Sequence, residues 1–214
     1  MNKGLFITFE GVDGCGKSTI AKMIVDKLIE LNYPILFTRE PGGNLIAEKI
    51  REIILDPNNT MMDNRCETLL YAASRRQHMV EQIIPALKEN KIVICDRFID
   101  SSLAYQGYAR NIGIDQVRTI NEFAIESFYP YKTIFFDISV DKTIERIKQR
   151  ENKDRLDLEN ITFHNNVQEG YKIINKHYKN RILYVDASKN IEQVYKQTLD
   201  IIIKVINDSE YTKG

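Results

Sequence analysis

Short apolar runs alternate with longer amphipathic segments along the whole chain. The short runs are rich in β-branched and aromatic residues, as strands are, and the longer segments repeat apolar residues every three or four positions, as helices do. The run at 92–95 is apolar throughout, which is typical of a strand buried on both faces. Strands are predicted at 5–9, 35–38, 92–95, 133–136 and 181–185, and helices at 18–31, 46–54, 65–88, 101–108, 115–127, 140–147, 162–179 and 191–206.

This alternation predicts an α/β fold in three layers, with helices flanking a five-stranded parallel sheet. Asn190 is a suitable cap for the last helix, and Pro85 should kink the helix at 65–88. Mixed charges interrupt the apolar rhythm at 149–160. Ligands of such sheets bind at the carboxyl ends of the strands, so functional residues are expected directly after strands.

The composition fits one globular domain that spans residues 1–214. The chain is 43% hydrophobic and carries 30 Lys and Arg against 30 Asp and Glu residues, which gives a formal net charge of zero. This hydrophobic content excludes a disordered chain. A neutral chain also lacks the broad basic surface that attracts nucleic acids or anionic membranes, so neither is an expected partner.

The cysteines and the first apolar run indicate a cytoplasmic protein. Cys15, Cys66 and Cys95 are far apart, which suggests neither a disulfide framework nor a zinc site. The apolar run at 5–9 stops at Glu10, so it is too short for a signal peptide, and no stretch approaches 18 apolar residues. Reduced thiols are normal in the cytoplasm.

The first strand leads into a phosphate-binding motif. The sequence Gly11-Val12-Asp13-Gly14-Cys15-Gly16-Lys17-Ser18 matches G-x-x-x-x-G-K-[ST] between a predicted strand and a predicted helix, with Thr19 following. Its glycines allow backbone N–H groups to turn toward phosphates at the helix N-terminus. Lys17 is expected to reach the β- and γ-phosphates of ATP, and the Ser18 hydroxyl to bind Mg²⁺.

Asp96 directly follows the apolar strand at 92–95, at the position of a Walker-B carboxylate. Such a carboxylate can hold a magnesium-bound water near Ser18. A surface ion pair with Arg97 is the alternative interpretation. The neighbouring phosphate-binding motif favours the magnesium role.

Two further groups suggest a second ligand. Arg39 follows the second strand in Thr38-Arg39-Glu40-Pro41-Gly42-Gly43, and its planar fork suits a phosphate monoester. An ion pair that caps this turn explains Arg39 equally well. Tyr71 and Arg75 lie four positions apart on a predicted helix, so they share a face that could bind a nucleobase. Such a pair is more often an aromatic at the edge of the core beside a solvated charge.

Taken together, these motifs resemble the thymidylate kinase family, which belongs to the adenylate-kinase-like group of P-loop kinases. The resemblance covers nearly the whole chain. It is carried by residues 6–19, by the T-R-E-P-G-G element at 38–43, and by Asp96-Arg97-Phe98 followed by Ser101-Ser102-Leu103-Ala104-Tyr105-Gln106-Gly107.

The resemblance implies a P-loop kinase fold and a reaction in which ATP, with Mg²⁺, phosphorylates dTMP to dTDP in dTTP synthesis. It implies that Arg39 and Arg97 bind the dTMP phosphate and that Asp13 holds the region of the sugar 3′-hydroxyl. Tyr71 would stack on thymine, and Tyr105 would crowd the 2′ position of a ribonucleotide. The residues that would reach the base are Arg75, Ser102 and Gln106, with Arg51 nearby.

The family that this chain resembles has two sources of catalytic positive charge. One branch has a basic residue at the position of Gly14, and the other, typical of many bacterial enzymes, has glycine there and a cationic lid. This chain resembles the second branch, with a lid at about 149–160 whose signature is best matched by Arg155-Leu156-Asp157. The expected catalytic residues are Lys17, Arg97, Arg150 and Arg155, whereas Arg146 and Lys148 fit a solvated surface.

Other functions remain open at this stage. Another P-loop kinase, acting on a nucleoside or a different monophosphate, would carry the same phosphate-binding motif. A GTP-dependent switch would need N-K-x-D, and the near match at 152–154 lacks the spacer. The family is usually homodimeric, and the apolar helices after the second and third strands could form a symmetric interface.

Overall fold

The predicted sheet is confirmed: five strands form one parallel sheet. The structure is a computed structural model that describes residues 4–126, 128–149, 151 and 153–212. The strands lie in the order β2-β3-β1-β4-β5, so β1 is central. Their bounds are β1 Leu5–Glu10, β2 Ile35–Arg39, β3 Ile92–Asp96, β4 Lys132–Asp137 and β5 Ile182–Asp186.

The strand register brings three strand ends together. Phe9 of β1 and Arg39 of β2 both align with Asp96 of β3. Because the strands are parallel, the segments that follow β1, β2 and β3 leave the sheet side by side. These segments are the phosphate-binding loop, the T-R-E-P-G-G turn and the stretch that begins at Arg97.

Helices connect and flank the strands, which completes the predicted α/β architecture. Asn44, Asp63, Asn160 and Asn190 each cap a helix by accepting backbone N–H bonds, so the predicted role of Asn190 is confirmed. The helices are α1 Lys17–Glu30, α2 Leu45–Leu55, α3 Asn64–His78, α4 Ile84–Lys88, α5 Ile99–Ser102, α6 Ile114–Ile125, α7 Val140–Lys148, α8 Ile161–His177 and α9 Ile191–Asp208.

The long helix predicted at 65–88 is interrupted before Pro85. Helix α3 passes into a π-helical turn at Met79–Ile83, and α4 then continues to Lys88. Pro85 has no N–H group for the carbonyl four residues earlier, and the wider turn lies where that bond is missing. A second π-helical segment, Leu103–Ala109, follows α5 and carries Tyr105 and Gln106.

The charged segment at 149–160 links α7 to α8. The Arg155 N–H donates to the Leu55 carbonyl oxygen at 3.1 Å, and Leu156 is buried, so this part of the segment lies on the end of α2. Arg150 lies outside the described residues. That residues 149–160 form a lid remains a prediction.

Within the described residues, no helix combines the length and the apolar character that a membrane span requires.

Candidate active site

A cleft of about 410 Å³ opens where β1, β2 and β3 end. It is lined by residues of the phosphate-binding loop and by side chains of α3, α5 and the segment after β2. Lys17 is only 5% exposed and still lines the cleft. The predicted site residues that line it are Asp13, Gly14, Gly16, Lys17, Ser18, Thr19, Arg39, Arg51, Tyr71, Arg75, Asp96, Arg97, Ser102, Tyr105 and Gln106.

Three predicted residues of the phosphate-binding loop, Gly11, Val12 and Cys15, lie behind this surface. All three are buried, and the Lys17 ammonium lies 3.8 Å from the Cys15 sulfur. In such a loop the nucleotide contacts come from backbone N–H groups, so a buried side chain is compatible with the predicted role.

Helix α7 closes on Gly14 and explains why this position is glycine. Gly14 has φ +77°, and a Cβ atom there would meet the Thr143 carbonyl oxygen at 2.9 Å. A basic side chain at this position would therefore need both a strained backbone and a displaced helix. Arg146 of α7 instead donates to the Gly14 carbonyl oxygen at 3.1 Å and lines the cleft. Arg146 is exposed, in agreement with the solvated surface expected for it, and it also lies at the edge of the cleft.

Asp96 and Ser18 meet as predicted, with the Ser18 hydroxyl donating to Asp96 Oδ2. The other carboxylate oxygen, Asp96 Oδ1, is buried and has no hydrogen-bond partner among the described residues. A carboxylate beside a hydroxyl, with one buried oxygen unsatisfied, is the oxygen donor set that fits a hydrated Mg²⁺ ion.

Arg97 is held rigidly at the centre of the cleft. Its guanidinium donates to Asp13 Oδ1 at 2.6 Å, to the Gly11 carbonyl at 3.0 Å and to the Ser101 hydroxyl at 3.0 Å. Burial acts to lower the pKa of Arg97, but the Asp13 carboxylate outweighs it and the pKa lies well above its ordinary value. Arg97 is therefore a permanently charged and preorganised group.

Glu10 supports Arg97 from behind the cleft. Its buried carboxylate accepts hydrogen bonds from the Ser101 hydroxyl at 2.6 Å and the Tyr171 hydroxyl at 2.9 Å, and both hydroxyls also accept from Arg97. Burial, with the nearby Asp100 carboxylate, raises the pKa of Glu10 to about 7. Sequence reasoning missed Glu10; its signal was a charged residue at the end of an apolar strand.

Arg39 and Arg51 both donate to the Pro41 carbonyl oxygen at 2.9 Å. Arg39 also pairs with Glu48 at 3.0 Å, so the turn-capping ion pair considered as an alternative is present. Both side chains nevertheless line the cleft, where they provide positive charge in addition to that of Lys17.

Arg75 is 2% exposed, and its Nε and Nη1 atoms are hydrogen-bonded. It donates to Glu40 at 2.6 Å, to the Ser102 hydroxyl at 3.0 Å and to Asn121. Glu40 also contacts His78 at 3.0 Å, which fixes the first turn after β2 against α3. Arg75 is thus a positioned group in the wall of the cleft, rather than a solvated charge.

The aromatic side chains of the cleft are also fixed. Tyr71 lines the cleft on the same face of α3 as Arg75, as predicted. The Tyr105 hydroxyl donates to Asp13 Oδ2 at 2.6 Å, and the guanidinium of Arg97 lies 5.2 Å from the centre of its ring. Asp13 therefore connects Tyr105 to Arg97.

Arg155 does not line the cleft. It donates to the Ile54 carbonyl at 2.9 Å and pairs with Glu67, which is fully buried. Glu67 also accepts a hydrogen bond from Gln106 at 2.8 Å. Arg155 would have to leave Glu67 to reach a nucleotide phosphate, so its catalytic role remains a prediction.

Comparison with known proteins identifies the family. A family model described as thymidylate kinase matches residues 9–198. The chain belongs to the thymidylate kinase family. The thymidylate kinase of Bacillus licheniformis is 52% identical over 209 residues, which are 97% of this chain and 99% of that protein. The thymidylate kinase of Clostridium novyi is 53% identical over 199 residues, 92% of this chain and 97% of that protein.

A solved structure supports the same conclusion. The crystal structure of thymidylate kinase from Ehrlichia chaffeensis has a TM-score of 0.76 and 32% identity, and the match covers 94% of this chain and 98% of that one. The P-loop kinase fold predicted from the resemblance is therefore confirmed. Every cleft residue described above lies within the range that matches the thymidylate kinase family model.

Proposed function

We propose that the chain transfers the γ-phosphoryl group of ATP to dTMP, giving ADP and dTDP. The observation that carries this function is one cleft of about 410 Å³ that is lined by Lys17 of the phosphate-binding loop and by Arg39 and Arg97 from the ends of β2 and β3. Two separate cationic sites in one cleft suit two phosphorylated ligands. Membership of the thymidylate kinase family assigns the class of reaction.

The ATP phosphates bind along residues 11–19, where the backbone N–H groups and the N-terminus of α1 favour negative charge. Ser18 and Asp96 would hold Mg²⁺, and the unsatisfied Oδ1 of Asp96 is an oxygen suited to such a site. The ion neutralises phosphate charge when it is bound. The cationic side chains of Lys17 and Arg146 neutralise further negative charge on the phosphates.

The acceptor phosphate of dTMP binds between Arg39 and Arg97. A phosphate monoester with a second pKa of about 6 is mostly dianionic at neutral pH, so its attacking oxygen needs no general base. The protein has to align two anions that repel each other and to neutralise their charge. Arg97 suits this task because Asp13, Ser101 and Tyr171 fix its direction.

The remaining predicted residues position the nucleoside. Tyr71 stacks on thymine, and Arg75, Ser102 and Gln106 face its edge, with Arg51 nearby. Tyr105 is fixed by Asp13, so it excludes the 2′-hydroxyl of a ribonucleotide while Asp13 faces the sugar. Closure of residues 149–160 excludes water and brings Arg150 and Arg155 toward the phosphates.

The enzyme acts as a cytoplasmic homodimer. Large apolar side chains stand exposed on three helices that pack on one another: Leu45 and Ile53 on α2, Leu69 on α3 and Phe123 on α6. An unpartnered apolar face of this kind is typical of a symmetric interface. The three cysteines are free thiols, as expected in the cytoplasm.

A magnesium-dependent assay of ADP release tests the proposed function. ATP is offered with dTMP, dUMP, dCMP, dGMP, AMP, UMP or thymidine in turn. We expect the fastest turnover with dTMP and slow turnover with UMP. Preference for thymidine or another monophosphate would overturn the assigned acceptor, and turnover that needs no acceptor would overturn the kinase function.

A further inference from the structure

Glu67 is a fully buried carboxylate that contacts the base-binding wall of the cleft from behind. One oxygen, Oε1, accepts from the side-chain amide of Gln106 at 2.8 Å. The other, Oε2, pairs with Arg155 and with Arg110, whose Nη2 lies at 3.3 Å. Glu67 itself does not line the cleft, whereas Gln106 does.

We propose that Glu67 orients the Gln106 amide so that its carbonyl oxygen reads a ring N–H of the acceptor base. Glu67 is thereby a positioning residue that selects a keto pyrimidine, such as thymine, over cytosine. This inference rests on the proposed function, because it requires a pyrimidine monophosphate beside Gln106.

The orientation follows from hydrogen-bond chemistry. An ionised carboxylate accepts hydrogen bonds and cannot donate them. Two guanidinium groups, those of Arg110 and Arg155, neutralise Glu67 in the protein interior, where an unpaired charge would be costly. Because Glu67 can only accept, Gln106 must turn its NH₂ group toward it, and the amide oxygen is the atom left for the cleft.

Arg75 complements this oxygen. Its guanidinium can only donate hydrogen bonds, and it lines the same wall, held by Glu40 and Ser102. A wall that offers a donor and an acceptor side by side matches the O4 acceptor and the N3–H donor of thymine. Cytosine has the opposite pattern, because it carries an N4 amine and an unprotonated N3. Its N4 donor would meet the Arg75 donor, and its N3 acceptor would meet the Gln106 oxygen.

The test is the discrimination ratio, kcat/KM for dTMP divided by kcat/KM for dCMP, in Glu67→Gln. The substituted side chain can offer either its oxygen or its NH₂ group, so the Gln106 amide is no longer fixed. We expect the ratio to fall at least about tenfold, the scale of one lost hydrogen bond. An effect that comes only through Arg155 and the phosphates would change both substrates alike and leave the ratio unchanged, which would overturn the proposal.

Glu159→Gln is the matched control. Glu159 pairs with the same Arg110 guanidinium, at 2.6 Å, in the same part of the fold. Its substitution disturbs Arg110 but leaves the bond between Glu67 and Gln106 in place. We expect this variant to keep the wild-type ratio, and a fall equal to that of Glu67→Gln would assign the effect to Arg110 and contradict the proposal.

A double-mutant cycle shows whether Glu67 acts through Gln106. In a Gln106→Leu background, Glu67→Gln should change the ratio no further. An undiminished change there would contradict the proposal. If Glu67→Gln does not fold, Glu67→Asp keeps the charge but shortens the reach, and it should lower the ratio as well. Wild-type turnover on dTMP tests the proposed function separately. The proposed function and the role of Glu67 can therefore fail independently.

Discussion

Two buried glutamates, Glu10 and Glu67, each support a residue of the cleft without lining it. Glu10 receives hydrogen bonds from the two hydroxyl groups that also bind Arg97. Glu67 binds the amide of Gln106 and the guanidinium of Arg155. Side chains assigned to substrate binding, such as Arg97 and Gln106, are thus held by carboxyl groups one layer deeper, which favours preorganisation.

The burial of Glu10 makes the stability of the protein depend on pH. Burial raises the pKa of Glu10 from 4.5 to about 7 in the folded state. Between these values the folded protein keeps a proton that the unfolded chain has released, so a rising pH destabilises the folded state. We compare the free energy of unfolding of the wild-type protein with that of Glu10→Gln. We expect the wild-type value to fall relative to the variant by up to about 3 kcal/mol as pH rises from 5 to 8.

Urea unfolding of both proteins at several pH values between 5 and 8 measures this difference. Glu192→Gln, which replaces an exposed glutamate at the start of α9, serves as the control and should follow the wild-type curve. If the free energies of unfolding of wild type and Glu10→Gln change with pH in parallel, Glu10 does not have a raised pKa in the folded protein.

At the scale of elements, α7 packs against the phosphate-binding loop. It touches Gly14 through Thr143 and sends Arg146 to the Gly14 carbonyl. The sequence of this helix suggested a solvated surface because its charges alternate in sign. The return of the chain from β4 to the end of β1 brings one of these charges, Arg146, to the phosphate-binding loop.

We expect Arg146→Ala to lower kcat by about 10²-fold, because it removes a preorganised positive charge beside the phosphate-binding loop. Lys148→Ala, on the exposed surface of the same helix, should leave kcat unchanged. Steady-state kinetics with varied ATP separates the two possible roles of Arg146. A raised KM for ATP with normal kcat would show that Arg146 only binds the nucleotide.

The sheet and most of the cleft were predictable because their residues follow one another or follow strands. Lys17 and Ser18 lie in one motif, and the parallel register brings Asp96 to them from β3. Glu10, a charged residue at the end of an apolar strand, carried a signal of the same kind, but Glu67 was not predictable in this way. Glu67 meets Gln106 across 39 residues and Arg155 across 88, and a single glutamate on a helix carries no pattern that names such partners.

At the scale of the whole molecule, the packed helices α2, α3 and α6 present the apolar face assigned to the dimer. Phe123 is its most exposed member, with 87% of its surface accessible. We expect Phe123→Glu to give a monomer, because it places a charge where the partner subunit would bury an aromatic ring. Sedimentation velocity measures the change in mass.

Ile191→Glu is the control for this substitution. Ile191 is also an exposed apolar residue, but it begins α9, where an acidic side chain suits the helix dipole. This variant should keep the mass of the wild-type protein. If Phe123→Glu and wild type sediment alike, the apolar face is not the interface.

The backbone of Arg97 is strained, whereas its side chain is among the most hydrogen-bonded of the cleft. Its φ of 72° lies in the left-handed region, which costs a residue other than glycine about 1 kcal/mol. Glycine at position 97 would relax the chain and at the same time delete the central guanidinium of the cleft. The same substitution would take the ion-pair partner from Asp13 and the donor from Ser101 and Tyr171, a larger loss than the strain that glycine relieves. A library selected only for heat tolerance would therefore keep Arg97, so the strained backbone and the positive charge of the cleft would be inherited together.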